Sequence, residues 1–110
     1  MDVTTRKEKT DFGVVIYVDS TDKSFRFAMY KYDDDPSTVY LSNVYVEESK
    51  RGQGMGNIIL NSADEIAKRA NALSICLKAK IGSFAYKWYK RHGYTDFEKE
   101  NDYMWMEKKI

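Results

Sequence analysis

The spacing of the apolar residues changes at Arg51-Gly52-Gln53-Gly54-Met55-Gly56, a run with three glycines at alternate positions. Downstream of this run the apolar residues recur at intervals of 4, 3, 4 and 3, at Ile59, Ala63, Ile66, Ala70 and Leu73. Such spacing places one apolar stripe along a helix. The glycine run is therefore predicted to be the loop between a strand and a helix, and the helix is predicted to end near Asn71.

The residues before the glycine run predict an antiparallel meander of three strands. Residues 12–18, 25–30 and 38–46 are rich in β-branched and aromatic side chains, and the second segment alternates with a period of two. The stretch Asp33-Asp34-Asp35-Pro36-Ser37 predicts a turn, because proline presets φ and aspartate bonds its own backbone. Met1 to Lys9 is expected to add an edge strand.

After the first helix the pattern predicts a strand, a second helix and two closing strands. Leu73, Ile75 and Leu77 alternate, and Ile81 to His92 is expected to be helical, with Ser83 as its cap and Gly93 at its end. The closing strands fall near Tyr94–Phe97 and Tyr103–Met106. The predicted fold class is α/β (α+β), a mixed, mostly antiparallel sheet with two helices, in a single domain over residues 1–110.

Composition narrows the function without naming it. The chain has 110 residues, with 18 Lys and Arg against 17 Asp and Glu, so its net charge of +1 gives no field to attract nucleic acid or an anionic membrane. Cys76 is the only cysteine, so no internal disulfide can form. Met1 to Thr10 does not resemble a signal peptide. A small cytoplasmic domain is expected.

The glycine run itself has two interpretations that its spacing does not separate. Glycine accepts φ > 0 and lets a ligand approach the backbone, and the first amides of a helix have no internal partner, so the run could cradle a phosphate or pyrophosphate. It could equally be a flexible strand-to-helix turn. A P-loop is excluded because Asn57 follows Gly56, and a dinucleotide loop is excluded by the spacing of the glycines.

Two motifs together resemble one family. The run from Arg51 to Gly56 matches R/Q-x-x-G-x-G/A, the coenzyme A signature of the GNAT superfamily of N-acetyltransferases. Val46 falls where that family often ends its fourth strand. Further along, Ala85-Tyr86-Lys87-Trp88-Tyr89-Lys90-Arg91-His92-Gly93-Tyr94 is similar to the family stretch A-x-x-[apolar]-Y-x-x-x-G-F/Y. The resemblance covers roughly residues 38–110 and implies the acyl-CoA N-acyltransferase fold.

The resemblance also implies a role for each matched residue. The backbone of Val44, Tyr45 and Val46 would pair with the pantetheine arm, and one of these amides would hold the thioester oxygen. Tyr89 would act as the general acid that protonates the departing thiolate. The phosphates would be held by Arg51 and by the amides of Gly52, Gln53, Gly54, Met55, Gly56 and Asn57. Ser83 stands beside Gly82, where the family often has an asparagine that contacts coenzyme A.

The sequence departs from the family pattern in two places. Many members supply a carboxylate base from the fourth strand, but residues 40–46 contain no Asp, Glu or His. Deprotonation could run through ordered water, through Tyr40 or through a residue elsewhere. Many members also carry a strand and two helices before the meander, and only eleven residues precede Phe12. An N-terminally truncated member with an open acceptor face is expected, similar in outline to small phage acetyltransferases.

These features predict an acetyl-CoA-dependent N-acetyltransferase without a metal, acting on a lysine or N-terminus of a protein. The alternative is a non-catalytic domain that binds acyl-CoA or a partner protein. Tyr103 to Met106 would allow a homodimer, because adjacent apolar side chains point to opposite faces of a strand. His92 is interpreted as a helix C-terminal charge partner, and Cys76 as a buried, unreactive thiol.

Overall fold

The computed structural model describes residues 2–110, and within them seven strands form one sheet that carries two helices. The elements in chain order are β1 Val3–Lys9, β2 Gly13–Ser20, β3 Phe25–Tyr32, β4 Asp35–Val46, α1 Met55–Arg69, β5 Ser74–Lys80, α2 Phe84–Arg91, β6 Thr95–Glu100 and β7 Tyr103–Lys109. A short 3-10 turn, Glu48–Lys50, follows β4. The predicted mixed, mostly antiparallel sheet with two helices is confirmed.

The sheet splits at its centre. Its strand order is β1-β2-β3-β4-β5-β7-β6, and only β4 and β5 run parallel. Their pairing is confined to residues 38–40 of β4 and 74–76 of β5. Beyond it, β4 continues to pair with β3 as far as Val46, and β5 continues with β7 as far as Lys80. The two strands therefore diverge and leave a gap between their unpaired edges.

The helices pack on one face of the sheet. The stripe of α1 is buried at Ile59, Ala63 and Ile66, in a core cluster that also takes alternate residues of the central strands and Tyr89 of α2. Because side chains alternate across a strand, Tyr30, Tyr40 and Trp105 lie on the opposite face. Neither α1 nor α2 has the length and apolar character needed to cross a membrane.

Two predicted boundaries are wrong. The turn before β4 is confined to Asp33 and Asp34, since Asp35 already pairs with Tyr32; Pro36 is tolerated there because it lies at the start of the strand. The second helix begins after Ser83, because Gly82 has a φ of +80°. As predicted, the Ser83 hydroxyl caps this helix, accepting a hydrogen bond from the Tyr86 N–H at 3.1 Å.

The N-terminal segment enters the sheet directly as a strand. The predicted edge strand is present as β1, although Met1 lies outside the described residues. Residues 10–12 connect β1 directly to β2, and the Thr10 N–H closes this hairpin by donating to the Gly13 carbonyl at 2.8 Å. No helix therefore stands between these two strands to cover the second face of the sheet.

Candidate active site

The glycine run forms a turn that leaves backbone amides free at the start of α1. Gly52 and Gly54 have φ values of +77° and +81°, in a region that disfavours residues with a Cβ. Gly54 is also the N-cap of α1, and no side chain caps the helix there. The first-turn amides, which have no partner within a helix, can therefore bind an external acceptor such as a phosphate.

Gly56 serves a different purpose from the other two glycines. A Cβ built on it would lie 2.5 Å from the indole ring of Trp88, whereas one built on Gly52 or Gly54 would meet nothing within 4 Å. Gly56 therefore allows α1 and α2 to approach closely, and this contact fixes one wall of the site.

A cavity of about 630 Å³ joins the glycine run to β4 and α2. We call it the coenzyme groove. Its lining residues are Val44, Tyr45, Val46, Arg51, Gly52, Gly54, Met55, Gly56, Asn57, Phe84, Ala85, Trp88, Tyr89 and His92. All but two of the residues predicted to bind the coenzyme lie along it.

The two exceptions, Gln53 and Ser83, point their side chains elsewhere. The Gln53 amide nitrogen donates a hydrogen bond to the Ser49 carbonyl at 2.7 Å. The Ser83 hydroxyl caps α2 and donates to the Lys80 carbonyl at 2.6 Å. Neither side chain lines the groove, so both contribute to the shape of the loops that surround it.

The end of β4 is bent where it borders the groove. The register between β3 and β4 shifts after Arg26, and Asn43 has a φ of +56°. Asparagine tolerates this left-handed conformation better than most residues with a side chain, and such a bulge bends and re-aims a strand. The edge of residues 41–46 that faces the gap has no strand partner, so an extended ligand could add to it.

Arg51 and His92 both line the coenzyme groove and are held there by hydrogen bonds. The Arg51 Nε donates to the Val46 carbonyl at 3.0 Å, which holds the exposed guanidinium at the rim of the groove. The His92 ring nitrogens lie 2.8 Å from the Trp88 carbonyl and 2.6 Å from the Asn57 Oδ1. His92 therefore links the end of α2 to the first turn of α1.

Tyr89 occupies the centre of the site. It is only 8% exposed, and its ring packs against Trp88 and edge-on against Tyr94, with centroids 4.9 and 5.6 Å away. Burial raises the pKa of its phenol to about 12. Tyr89 therefore keeps its proton across the physiological range, so in proton transfer it can act as an acid but not as a base.

A second cavity, of about 920 Å³, opens on the other side of Tyr89. We call it the aromatic cleft, since six of its lining residues are aromatic: Tyr30, Tyr32, Tyr40, Tyr89, Phe97 and Trp105. Val44 and Tyr89 line both the cleft and the coenzyme groove. A ligand in one cavity can therefore meet a ligand in the other beside these two residues.

Several of these lining residues are not among the site residues that the sequence predicts. Phe84, Trp88 and His92 are four residues apart along α2, and this helical spacing could have placed them on one face. No comparable signal marks the aromatic cleft, because its residues come from five strands and from α2.

Cys76 is not part of either cavity. Its side chain is buried, and its Sγ lies 3.9 Å from the Glu107 carboxylate. Burial and, to a lesser extent, the charge of Glu107 raise the thiol pKa to about 11. Cys76 therefore stays protonated, in keeping with its interpretation as an unreactive thiol.

Comparison with known families agrees with this geometry. A family model described as "Acetyltransferase (GNAT) domain" matches residues 10–96, which is most of the chain and includes every residue that lines the coenzyme groove. The chain belongs to the GNAT acetyltransferase family. Members of this family carry out acetyl transfer from acetyl-CoA, so the GNAT chain described here is an acyltransferase in its general class.

Solved structures share the same fold at low sequence identity. An acetyl-CoA-bound GNAT family acetyltransferase from Elizabethkingia anophelis superposes with a TM-score of 0.73 at 12% identity, over 98% of both chains. IAA acetyltransferase from Bacillus cereus gives 0.74 at 14%, over 99% of this chain and 100% of that one. PaiA N-acetyltransferase from Thermoplasma acidophilum, in complex with coenzyme A, gives 0.73 at 16%, over 87% of this chain and 60% of its own length.

Proposed function

We propose that residues 1–110 act as a single domain that transfers the acetyl group of acetyl-CoA to a primary amine, a lysine or N-terminus of a protein. The observation that carries the proposal is the meeting of two cavities at Val44 and Tyr89. One cavity starts at an amide-rich glycine turn suited to a pyrophosphate, and the other starts at the sheet face opposite α1 and α2. Two substrates could therefore enter from opposite sides and react between them.

The coenzyme groove fits an extended, phosphate-bearing thioester. The amides from Gly52 to Asn57 would bind the pyrophosphate, and Arg51 at the rim would add a positive charge. The unpaired edge of residues 44–46 would hydrogen-bond the pantetheine arm as an added strand. Ser83 would act indirectly, by capping α2 and so fixing the helix that carries Tyr89.

The chemistry requires the chain to stabilise an oxyanion and a leaving thiolate. Acetyl-CoA supplies a thioester whose carbonyl carbon bonds to the amine nitrogen as its carbon–sulfur bond breaks. A backbone amide of residues 44–46 would donate to the developing oxyanion. The Tyr89 hydroxyl would give its proton to the departing sulfur, and the amine proton would pass to a base in the aromatic cleft.

A protein acceptor is favoured by the exposed sheet face. The direct connection of β1 to β2 leaves this face without a covering helix, and the cleft of about 920 Å³ is large for a small amine alone. A side chain or terminus carried on a bulky partner could reach Tyr89 from this side.

One observation favours a second candidate, a domain that binds acyl-CoA without transferring the acyl group. The raised pKa of Tyr89, about 12, makes its phenol a weaker acid than an ordinary tyrosine. Residues 40–46 of β4 also lack a carboxylate that could serve as the base.

The deciding experiment measures binding and transfer separately. Calorimetry with coenzyme A tests the groove, and release of free thiol from acetyl-CoA in the presence of lysine-containing peptides tests transfer. We expect binding together with peptide-dependent thiol release. Binding of coenzyme A without thiol release in the presence of any amine would support the second candidate. The absence of both binding and thiol release would refute the proposal.

A further inference from the structure

A bulge in β6 places two consecutive residues on the wall of the aromatic cleft. Asp96 pairs with Met106 and Glu98 pairs with Trp105, so Phe97 is an extra residue with no partner in the ladder. In a regular strand Phe97 and Glu98 would point to opposite faces. Here both line the same cavity, as expected where a bulge re-aims side chains near a functional site.

The aromatic walls of the cleft are held in place by one another. The rings of Tyr32 and Tyr40 meet edge-on at 5.3 Å, and those of Tyr40 and Trp105 at 6.1 Å. The Tyr40 hydroxyl donates to Asp35 at 3.3 Å, and the Trp105 Nε1 donates to Glu100 at 3.0 Å. The walls are thus preorganised to pack along an apolar stem and to attract a cation.

The charges of the cleft leave one carboxylate available. Lys78 and Glu98 both line it. The Lys78 ammonium pairs with Glu100 at 3.5 Å and lies 5.4 and 5.5 Å from the ring centres of Tyr103 and Trp105. Among residues 2–110, Glu98 takes part in no ion pair. A positively charged ligand could therefore pair with Glu98 without displacing a protein cation.

We propose that the acceptor is a primary ammonium at the end of an unbranched apolar stem, as in a lysine side chain, and that Phe97 and Glu98 select it. The aromatic rings would pack along the stem, and Glu98 would pair with the ammonium group. This inference rests on the proposed acetyl transfer and narrows its acceptor. An N-terminal α-amine fits less well, because the polar peptide groups next to it would have to pack against the aromatic rings of the cleft.

The test uses four probes with the coenzyme A-loaded protein, which binds but cannot transfer. The first is an N-acetylated, C-amidated pentapeptide with one central lysine, and the second replaces that lysine by norleucine. The third is a lysine-free peptide with a free N-terminus, and the fourth is pentylamine, a stem without a peptide. The variants are Glu98→Gln and Phe97→Ala, and Glu65→Gln on α1, exposed and outside both cavities, is the matched control.

We expect the lysine peptide to bind more tightly than the norleucine and N-terminal peptides. Glu98→Gln should weaken its binding about ten-fold, since the amide can still accept a hydrogen bond but no longer carries the charge that pairs with the ammonium. Phe97→Ala should weaken it about five-fold through lost apolar contact, and Glu65→Gln should not change it. Binding of pentylamine that also depends on Glu98 would extend the acceptors to free amines of the same chemistry.

Equal binding of lysine and norleucine peptides would overturn the inference, as would preference for the free N-terminus or a Glu98→Gln variant that behaves like Glu65→Gln. Thiol release from acetyl-CoA is then measured with the same probes. Glu98-dependent binding without thiol release would show that the cleft selects a lysine-like ammonium, and it would refute the proposed transfer. Thiol release that favours the peptide with the free N-terminus would support the proposed transfer and refute this inference.

Discussion

Replacing Tyr89 by phenylalanine isolates the proposed acid. The Tyr89 pKa of about 12 lies about 3.5 above the ordinary thiol value of about 8.5, so complete proton transfer to a free thiolate would be uphill by about 5 kcal/mol. The proton must therefore be shared with the sulfur while the carbon–sulfur bond breaks. General acids contribute roughly 10²- to 10⁴-fold, and the raised pKa places Tyr89 at the lower end. We expect Tyr89→Phe to reduce kcat about 100-fold.

The chain provides a matched control in Tyr94→Phe. Tyr94 is as deeply buried as Tyr89 and packs edge-on against it, but it lines neither cavity, and its hydroxyl has no hydrogen-bond partner among the described residues. Removing that hydroxyl should leave kcat unchanged. Thiol release is measured for both variants, and coenzyme A affinity by calorimetry. If Tyr89→Phe retained kcat within two-fold of Tyr94→Phe, Tyr89 would not be the acid.

Three further predictions follow from the packing and the charges. Gly56→Ala should lower the free energy of unfolding by about 1–2 kcal/mol and weaken coenzyme A binding, because the new Cβ would press on Trp88 and displace it into the groove. Urea unfolding measures the first effect and calorimetry the second. Unchanged values of both would show that α1 and α2 pack less closely. Arg51→Gln should weaken the binding of coenzyme A about ten-fold, and the affinity of the variant for coenzyme A should depend less on salt than that of the unaltered protein. An equal salt dependence would place Arg51 away from the phosphates. Stability should fall above about pH 9, because burial raises the pKa values of Cys76, Tyr89 and Tyr94 and the unfolded chain then loses protons that the folded chain keeps. At pH 11 each tyrosine accounts for about 1.4 kcal/mol of the loss. Tyr94→Phe should therefore lose about 1.4 kcal/mol less stability between pH 8 and pH 11 than the unaltered protein, and an equal loss in urea unfolding would contradict this.

The sequence predicted the elements and one of the two cavities. The apolar spacing from Ile59 onward is long and regular enough to identify α1. Glycines next to a helix start have a restricted set of uses, so the run from Arg51 to Gly56 indicated where a phosphate could bind. The motif around Tyr89 fixed its place on the second helix.

The remaining features depend on pairing between distant segments, which local patterns do not record. The bulges at Asn43 and Phe97 exist only relative to β3 and β7, so nothing in either segment alone announces them. The aromatic cleft likewise forms because Tyr40 meets Trp105 across 65 positions of chain. The tight contact between Gly56 and Trp88 was hidden for the same reason.

The two cavities form one active site only if a thioester in the groove reacts with an amine in the cleft. The decisive measurement incubates the protein with acetyl-CoA and the single-lysine peptide, and quantifies free coenzyme A thiol and acetylated peptide in the same sample. One acetylated peptide for each thiol released, with both rates reduced about 100-fold by Tyr89→Phe, is the predicted result. Tight binding of coenzyme A with no acetylated peptide would contradict it.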